Sequence, residues 1–171
     1  MKYYPKINRR RNSYRKPDHD YNGYASYFIT ICVINKEKCL SEIKIDNKTN
    51  EPIVILTKYG EIIEKQLKWL CEKYEYIKIP TYVIMPDHIH FIIKIFRDLK
   101  YESTKKVKPL AELMGALKST SSKFIHFEGK ENFTWQRNYF HNIIRSESMY
   151  NKIVYYIRQN PYNWMYWFKK C

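Results

Sequence analysis

The sequence has no apolar run approaching the roughly 18 residues that a membrane helix needs. Its basic N-terminus lacks a following hydrophobic segment, so neither a membrane span nor a secretory signal is expected. Four cysteines, Cys32, Cys39, Cys71 and Cys171, form no Cys-x-x-Cys pair, which removes a zinc ribbon or a thioredoxin-like motif from consideration. Cys32 falls in an apolar strand pattern and reads as core, and reduced thiols suit a cytosolic setting. There are no internal repeats and no sign of a second domain. The scarce charge is the acidic one: 17 Asp and Glu stand against 31 Lys and Arg, for a net charge of +14.

What is present fits one domain of 171 residues with 44% hydrophobic content, enough for a packed core. The basic excess suits a polyanion, because each phosphate contact releases counterions; a soluble surface that is merely basic is the plainer alternative. The 17 tyrosines, interleaved with basic residues, suit stacking on unpaired bases, or else fill half-buried sheet positions. Residues 1–22 are polar and basic, with Arg9, Arg10, Arg11, Arg15 and Lys16 close together. They read as a nucleic-acid-binding arm, with a solvated tail as the alternative, ahead of a single domain over 23–171.

Along the chain, residues 24–35 carry Tyr27, Phe28, Ile29, Ile31, Val33 and Ile34, a buried strand. A short strand is expected at Ile43–Ile45 and brief pairing at Ile53–Leu56. Thr57 is a plausible N-cap, followed by Ile62, Ile63, Leu67 and Leu70 at helical spacing as far as about Tyr74. Residues 76–85 and 88–96 read as antiparallel strands joined tightly at Met85-Pro86-Asp87. A second helix follows Pro109, with Leu110, Leu113, Met114, Leu117 and Phe124 on its apolar side. Lys118, Ser119, Ser121, Ser122 and Lys123 are expected on its exposed side. Residues 126–140 read as an irregular connection, and a third helix runs from about Glu147 to Gln159, ended by Asn160-Pro161.

The residues that carry chemistry begin with His88-Ile89-His90. On a strand, side chains two apart share a face, so both imidazoles can converge on one divalent ion; two rings satisfied by ordinary hydrogen bonds are the even alternative. The last helix offers Tyr156 and Asn160, four apart and so on one helical side. An Asn carbonyl suits a hard ion, and two imidazoles with it leave Mn²⁺ or Mg²⁺ open positions for substrate oxygens. A phenolate one turn away could attack phosphorus and become joined to the strand. Tyr156 could equally be one tyrosine among many, with Tyr155 adjacent. Asp87 could orient the His88 ring or serve only the turn.

The order strand, helix, strand, strand, helix is close to an α+β, ferredoxin-like antiparallel sheet with helices packed on one face, plus a C-terminal helix carrying the tyrosine. The run Val83 to His90, together with Tyr156-Ile157-Arg158-Gln159-Asn160-Pro161, resembles the single-tyrosine HUH transposases, in particular the REP-associated tyrosine transposases, relatives of the small insertion-sequence enzymes. Tyr21 through Thr30, Gly115-Ala116-Leu117-Lys118-Ser119 and Trp135-Gln136-Arg137-Asn138-Tyr139 add to the resemblance, which spans about residues 9 to 164. It implies a metal-dependent enzyme that cleaves and rejoins single-stranded DNA, often beside a hairpin, through a 5′-phosphotyrosine. His88 and His90 would be metal ligands, Asn160 the third, Mg²⁺ or Mn²⁺ the cofactor and Tyr156 the nucleophile, with Tyr155 a packing neighbour. Lys118, Arg137 and Arg145 would lie near DNA phosphates. A place in the prokaryotic cytosol or nucleoid is expected, as a homodimer or, like REP-associated relatives, as a monomer. The competing reading is a non-catalytic single-stranded nucleic-acid-binding protein on the same fold.

Overall fold

The computed structural model describes residues 25–96 and 107–168. The arginines of the basic arm and the 97–106 connection lie outside them. Strand β1 (Ala25–Cys32), paired on both edges, buries side chains on both of its faces. Tyr27, Ile29 and Ile31 enter the larger core, and Phe28 enters a second, smaller one on the opposite side. Two further elements, β2 (Ser41–Ile45) and β3 (Pro52–Leu56), pair as a separate hairpin, where the sequence places two short strands.

Helix α1 (Lys58–Lys73) starts at Thr57, whose hydroxyl accepts a hydrogen bond from the Gly60 N–H, as its N-cap character predicts. Strands β4 (Ile77–Ile84) and β5 (His88–Ile95) follow, joined through Met85–Asp87. Helix α2 (Leu110–Phe127), strand β6 (Phe140–Ile144) and helix α3 (Glu147–Phe168) complete the chain. The main sheet runs β4-β5-β1-β6, every neighbour antiparallel. Its strand–helix–strand–strand–helix–strand order is the ferredoxin-like arrangement.

The two faces of the sheet have different partners. Ile63, Leu67 and Leu70 of α1 and Leu110, Leu113, Met114, Leu117 and Ile125 of α2 cover the Tyr27 face. Ile153 and Ile157 of α3 join Phe28 and Ile92 on the other. Burying a large aliphatic side chain contributes about 1.5–3 kcal/mol, so this small second cluster is what fixes α3 against the strand that carries the histidines.

Four expectations are corrected. Strand β6 falls where an irregular connection and then no element was read; it is a five-residue edge strand with His141 and Asn142 at its middle, too short and too polar to show an alternating pattern. On α2, Phe124 is exposed, and Ser121 occupies the buried row instead. Its hydroxyl donates to the Leu117 carbonyl and accepts from the Trp135 indole N–H at 2.9 Å, which makes a polar residue tolerable there. Lys118, expected on the exposed side, is half-buried. Finally, α3 does not stop at Asn160-Pro161 but runs on to Phe168 with Pro161 inside it. Proline removes the N–H that the Ile157 carbonyl would accept; packing of the following turn carries the helix past it, Trp164 lying against His88 with ring centroids 6.1 Å apart.

Candidate active site

Period-2 alternation places His88, His90 and Ile92 on the α3 face of β5, with Ile89, Phe91 and Ile93 in the opposite core. Cross-strand register sets Thr30 opposite His90 and Cys32 opposite His88. The two Nε2 atoms lie 3.1 Å apart, with the rings inclined at 70°. Each outer nitrogen has a partner. His90 Nδ1 is 2.8 Å from Thr30 Oγ1, and His88 Nδ1 bonds the Asp87 carboxylate.

Electrostatics fix the protonation. Burial opposes the charge on Asp87, but its hydrogen bond to His88 and the charges of His88 and Lys36 hold the carboxyl below the ordinary range. An ionised Asp87 only accepts, so His88 Nδ1 carries the hydrogen of that bond. Burial, and then the charges of His88 and Lys36, push the His90 pKa well below 6.5, so that ring is neutral at physiological pH. Asp87 therefore orients the ring rather than serving only the turn.

Helix α3 brings the tyrosine in. The Tyr156 ring lies 5.4 Å from His90, centroid to centroid, and meets Phe28 edge-on at 5.9 Å. Asn160 is buried, one turn beyond Tyr156 and one turn before Trp164, so it occupies the helical row between the residues that touch His90 and His88. Tyr155, expected to pack, is 67% exposed and points elsewhere.

Three contributors were not read from sequence. Thr30 reaches His90 only through strand register. Trp164 lies beyond the proline expected to end the helix. Lys36 comes from a turn in which Asn35 and Lys36 are both left-handed, at φ 53° and 58°; its ammonium is 3.8 Å from Asp87 Oδ2 and 3.2 Å from Cys32 Sγ. That turn is zipped to the Pro86–Asp87 turn by the Val33 and Leu40 N–H groups, which donate to the Asp87 and Pro86 carbonyls at 2.9 and 3.0 Å. This over-determination is what holds non-glycine residues in a left-handed backbone.

The residues present fit a divalent ion in one respect that geometry can test. Both imidazoles are oriented by hydrogen bonds at their outer nitrogens, as metal-ligating histidines are, and their Nε2 atoms lie 3.1 Å apart. Among the described residues, no group of three or more His, Cys, Asp and Glu is placed to hold a metal, so a third protein ligand would have to be of another kind.

The expected phosphate contacts separate. Arg137 and Arg145 are exposed. The Lys118 ammonium instead donates to the carbonyls of Gln136, Arg137 and Asn138 at 2.8, 3.1 and 3.3 Å.

The sheet thus presents two imidazoles to a helix-borne tyrosine, and the whole chain can be set beside known proteins. A family model described as "Transposase IS200 like" matches residues 24–160; the chain belongs to that family and is a transposase. An uncharacterized protein of Haemophilus influenzae is 30% identical over 176 residues, covering 95% of this chain and 94% of that one. Among solved structures, a REP-associated tyrosine transposase bound to a REP hairpin superposes with a TM-score of 0.57 at 18% identity, covering 81% of this chain and 67% of its own. A putative transposase from Deinococcus radiodurans does so with a TM-score of 0.50 at 12% identity, covering 80% and 90%. Both share the fold.

Proposed function

We propose that this transposase is of the single-tyrosine HUH type, cleaving and rejoining single-stranded DNA through a 5′-phosphotyrosine. The observation that carries the reading is the Tyr156 ring 5.4 Å from His90, beside two Nε2 atoms 3.1 Å apart. His88, His90 and Asn160 would hold Mg²⁺ or Mn²⁺. When bound, that ion withdraws charge from a non-bridging phosphate oxygen and favours in-line attack.

The protein's own residues do the rest. Tyr156 Oη forms a bond to phosphorus as the bond to the 3′ oxygen breaks. The phenol loses its proton and the departing 3′ oxygen gains one, leaving a free 3′-hydroxyl and a 5′-phosphotyrosine. A 3′-hydroxyl attacking that phosphotyrosine reverses the step and joins DNA without an added energy source, because the phosphodiester is exchanged rather than hydrolysed. Phe28 and Ile157 keep the tyrosine ring against the sheet, and Asp87 and Thr30 keep the imidazoles in register.

The substrate follows from the charge of the chain and from the REP hairpin carried by the structural neighbour: a single strand flanked by a hairpin, gripped through Arg9, Arg10, Arg11, Arg15, Arg137 and Arg145. The test is cleavage of end-labelled hairpin oligonucleotides with randomised single-stranded flanks, in Mn²⁺ or in chelator, by wild type, His88→Ala and His90→Ala. Cleavage should need the metal and both histidines. Equal cleavage in chelator would contradict the reading, and products with no protein attached would assign the attack to water instead.

A further inference from the structure

Lys118 is a half-buried lysine with no carboxylate partner among the described residues. Three consecutive carbonyls, of Gln136, Arg137 and Asn138, converge on its ammonium, and the Tyr139 ring closes over it with its centroid 5.6 Å away. Burial lowers its pKa, yet carbonyls do not neutralise it, so a full positive charge stays embedded beneath the loop.

The loop backbone adds to that charge. In a trans peptide the N–H points opposite its own C=O, and the described chain has no cis bond. Carbonyls turned in towards Lys118 therefore turn the N–H groups of Arg137 and Asn138 outward. Neither donates to a backbone carbonyl among the described residues, and both residues are exposed. Successive outward amides can bind an anion, and the exposed Arg137 belongs to the same loop.

Position ties this loop to the histidines. The Gln136 N–H donates to the Cys32 carbonyl at 2.8 Å, and Cys32 faces His88 across the sheet. Two strand spacings, about 10 Å, separate the loop backbone from that of His88.

We propose that the Gln136–Tyr139 loop, clasped from beneath by Lys118, is a phosphate-binding loop that takes a backbone phosphate of the nucleic-acid strand near the one held at the histidine pair. Arg137 touches the phosphate, and Lys118 is a positioning residue that acts through the loop. This rests on the function proposed above, and the test keeps the two apart.

The probe is a fluorescein-labelled single-stranded 20-mer of mixed sequence, titrated at several salt concentrations. Binding is read with Tyr156→Phe proteins so that no chemistry intervenes. Arg137→Gln should weaken binding about tenfold and lower the slope of log K against log salt by about 0.7, the value for one phosphate on a single strand. Lys118→Met should lower the slope similarly, and the double variant should be no weaker than Lys118→Met alone, since both act through one loop. A merely structural Lys118 would shift the melting temperature without moving the slope. If Lys118→Met fails to fold, Arg137→Gln decides alone. An unchanged slope in Arg137→Gln overturns the loop while leaving the transposase reading intact; a parent protein that binds no single strand overturns both.

Discussion

At the scale of single residues, the site is defined by how the two imidazoles are held. Thr30 and Asp87 occupy the outer nitrogens of the two histidines, so the inner ones are left to face each other. The cost is visible in His90, whose folded pKa lies well below 6.5. A depressed histidine pKa means that below about 6.5 the unfolded chain binds a proton the folded one refuses, and stability falls as pH drops from there toward the folded pKa. The urea midpoint should therefore fall between pH 7.5 and pH 5.5, and His90→Phe should flatten that dependence; an equal dependence in the variant would contradict the assignment. Asp87→Asn keeps the shape but loses the carboxylate that fixes the His88 ring. It should weaken Mn²⁺ binding, read by calorimetry, by about 10–100-fold, with the fold intact by circular dichroism. An unchanged affinity would return Asp87 to a turn role.

The histidine spacing and the Tyr156–Asn160 pair were legible in the sequence because each follows a local period, two on a strand and about four on a helix. Thr30 and Lys36 were not. One reaches the site through register between strands sixty residues apart, and the other through two left-handed residues, of which Asn35 is of a type that favours that region but Lys36 is not.

At the scale of elements, the strands and helices that bury a full face were readable, and the pieces held by tertiary context were not. Strand β6 pairs with β1 over five residues and carries too little pattern to be seen alone. Helix α3 outlasts Pro161 because residues on both sides of it pack against the sheet. Two glycines show the same contrast. A Cβ at Gly60 would lie 2.1 Å from the Leu40 carbonyl oxygen, which also accepts the Thr57 N–H at 3.0 Å. A Cβ at Gly115, mid-helix in α2, meets nothing within 4 Å. Gly115→Ala should then stabilise by up to about 1 kcal/mol through helix propensity. Gly60→Ala should destabilise by about 1–3 kcal/mol, because a backbone contact must move. Thermal melts of the two variants check this, and shifts of the same sign would contradict it.

At the scale of the whole molecule, the ferredoxin-like sheet is a partition. Helices α1 and α2 seal one face with the main core, which frees the other face to carry polar chemistry under a single helix. The net charge of +14 acts over the same scale, attracting a polyanion to the chain, and its effect should weaken as salt rises. The most direct test of the central claim is covalent trapping. Wild type and Tyr156→Phe are mixed with labelled single-stranded hairpin oligonucleotides in Mn²⁺ or Mg²⁺ and run on a denaturing gel. The account predicts a protein–DNA band that requires both the metal and Tyr156, with the label retained only when it lies 3′ of the cut. A band of equal intensity in Tyr156→Phe, or cleavage that leaves no DNA on the protein, would contradict it.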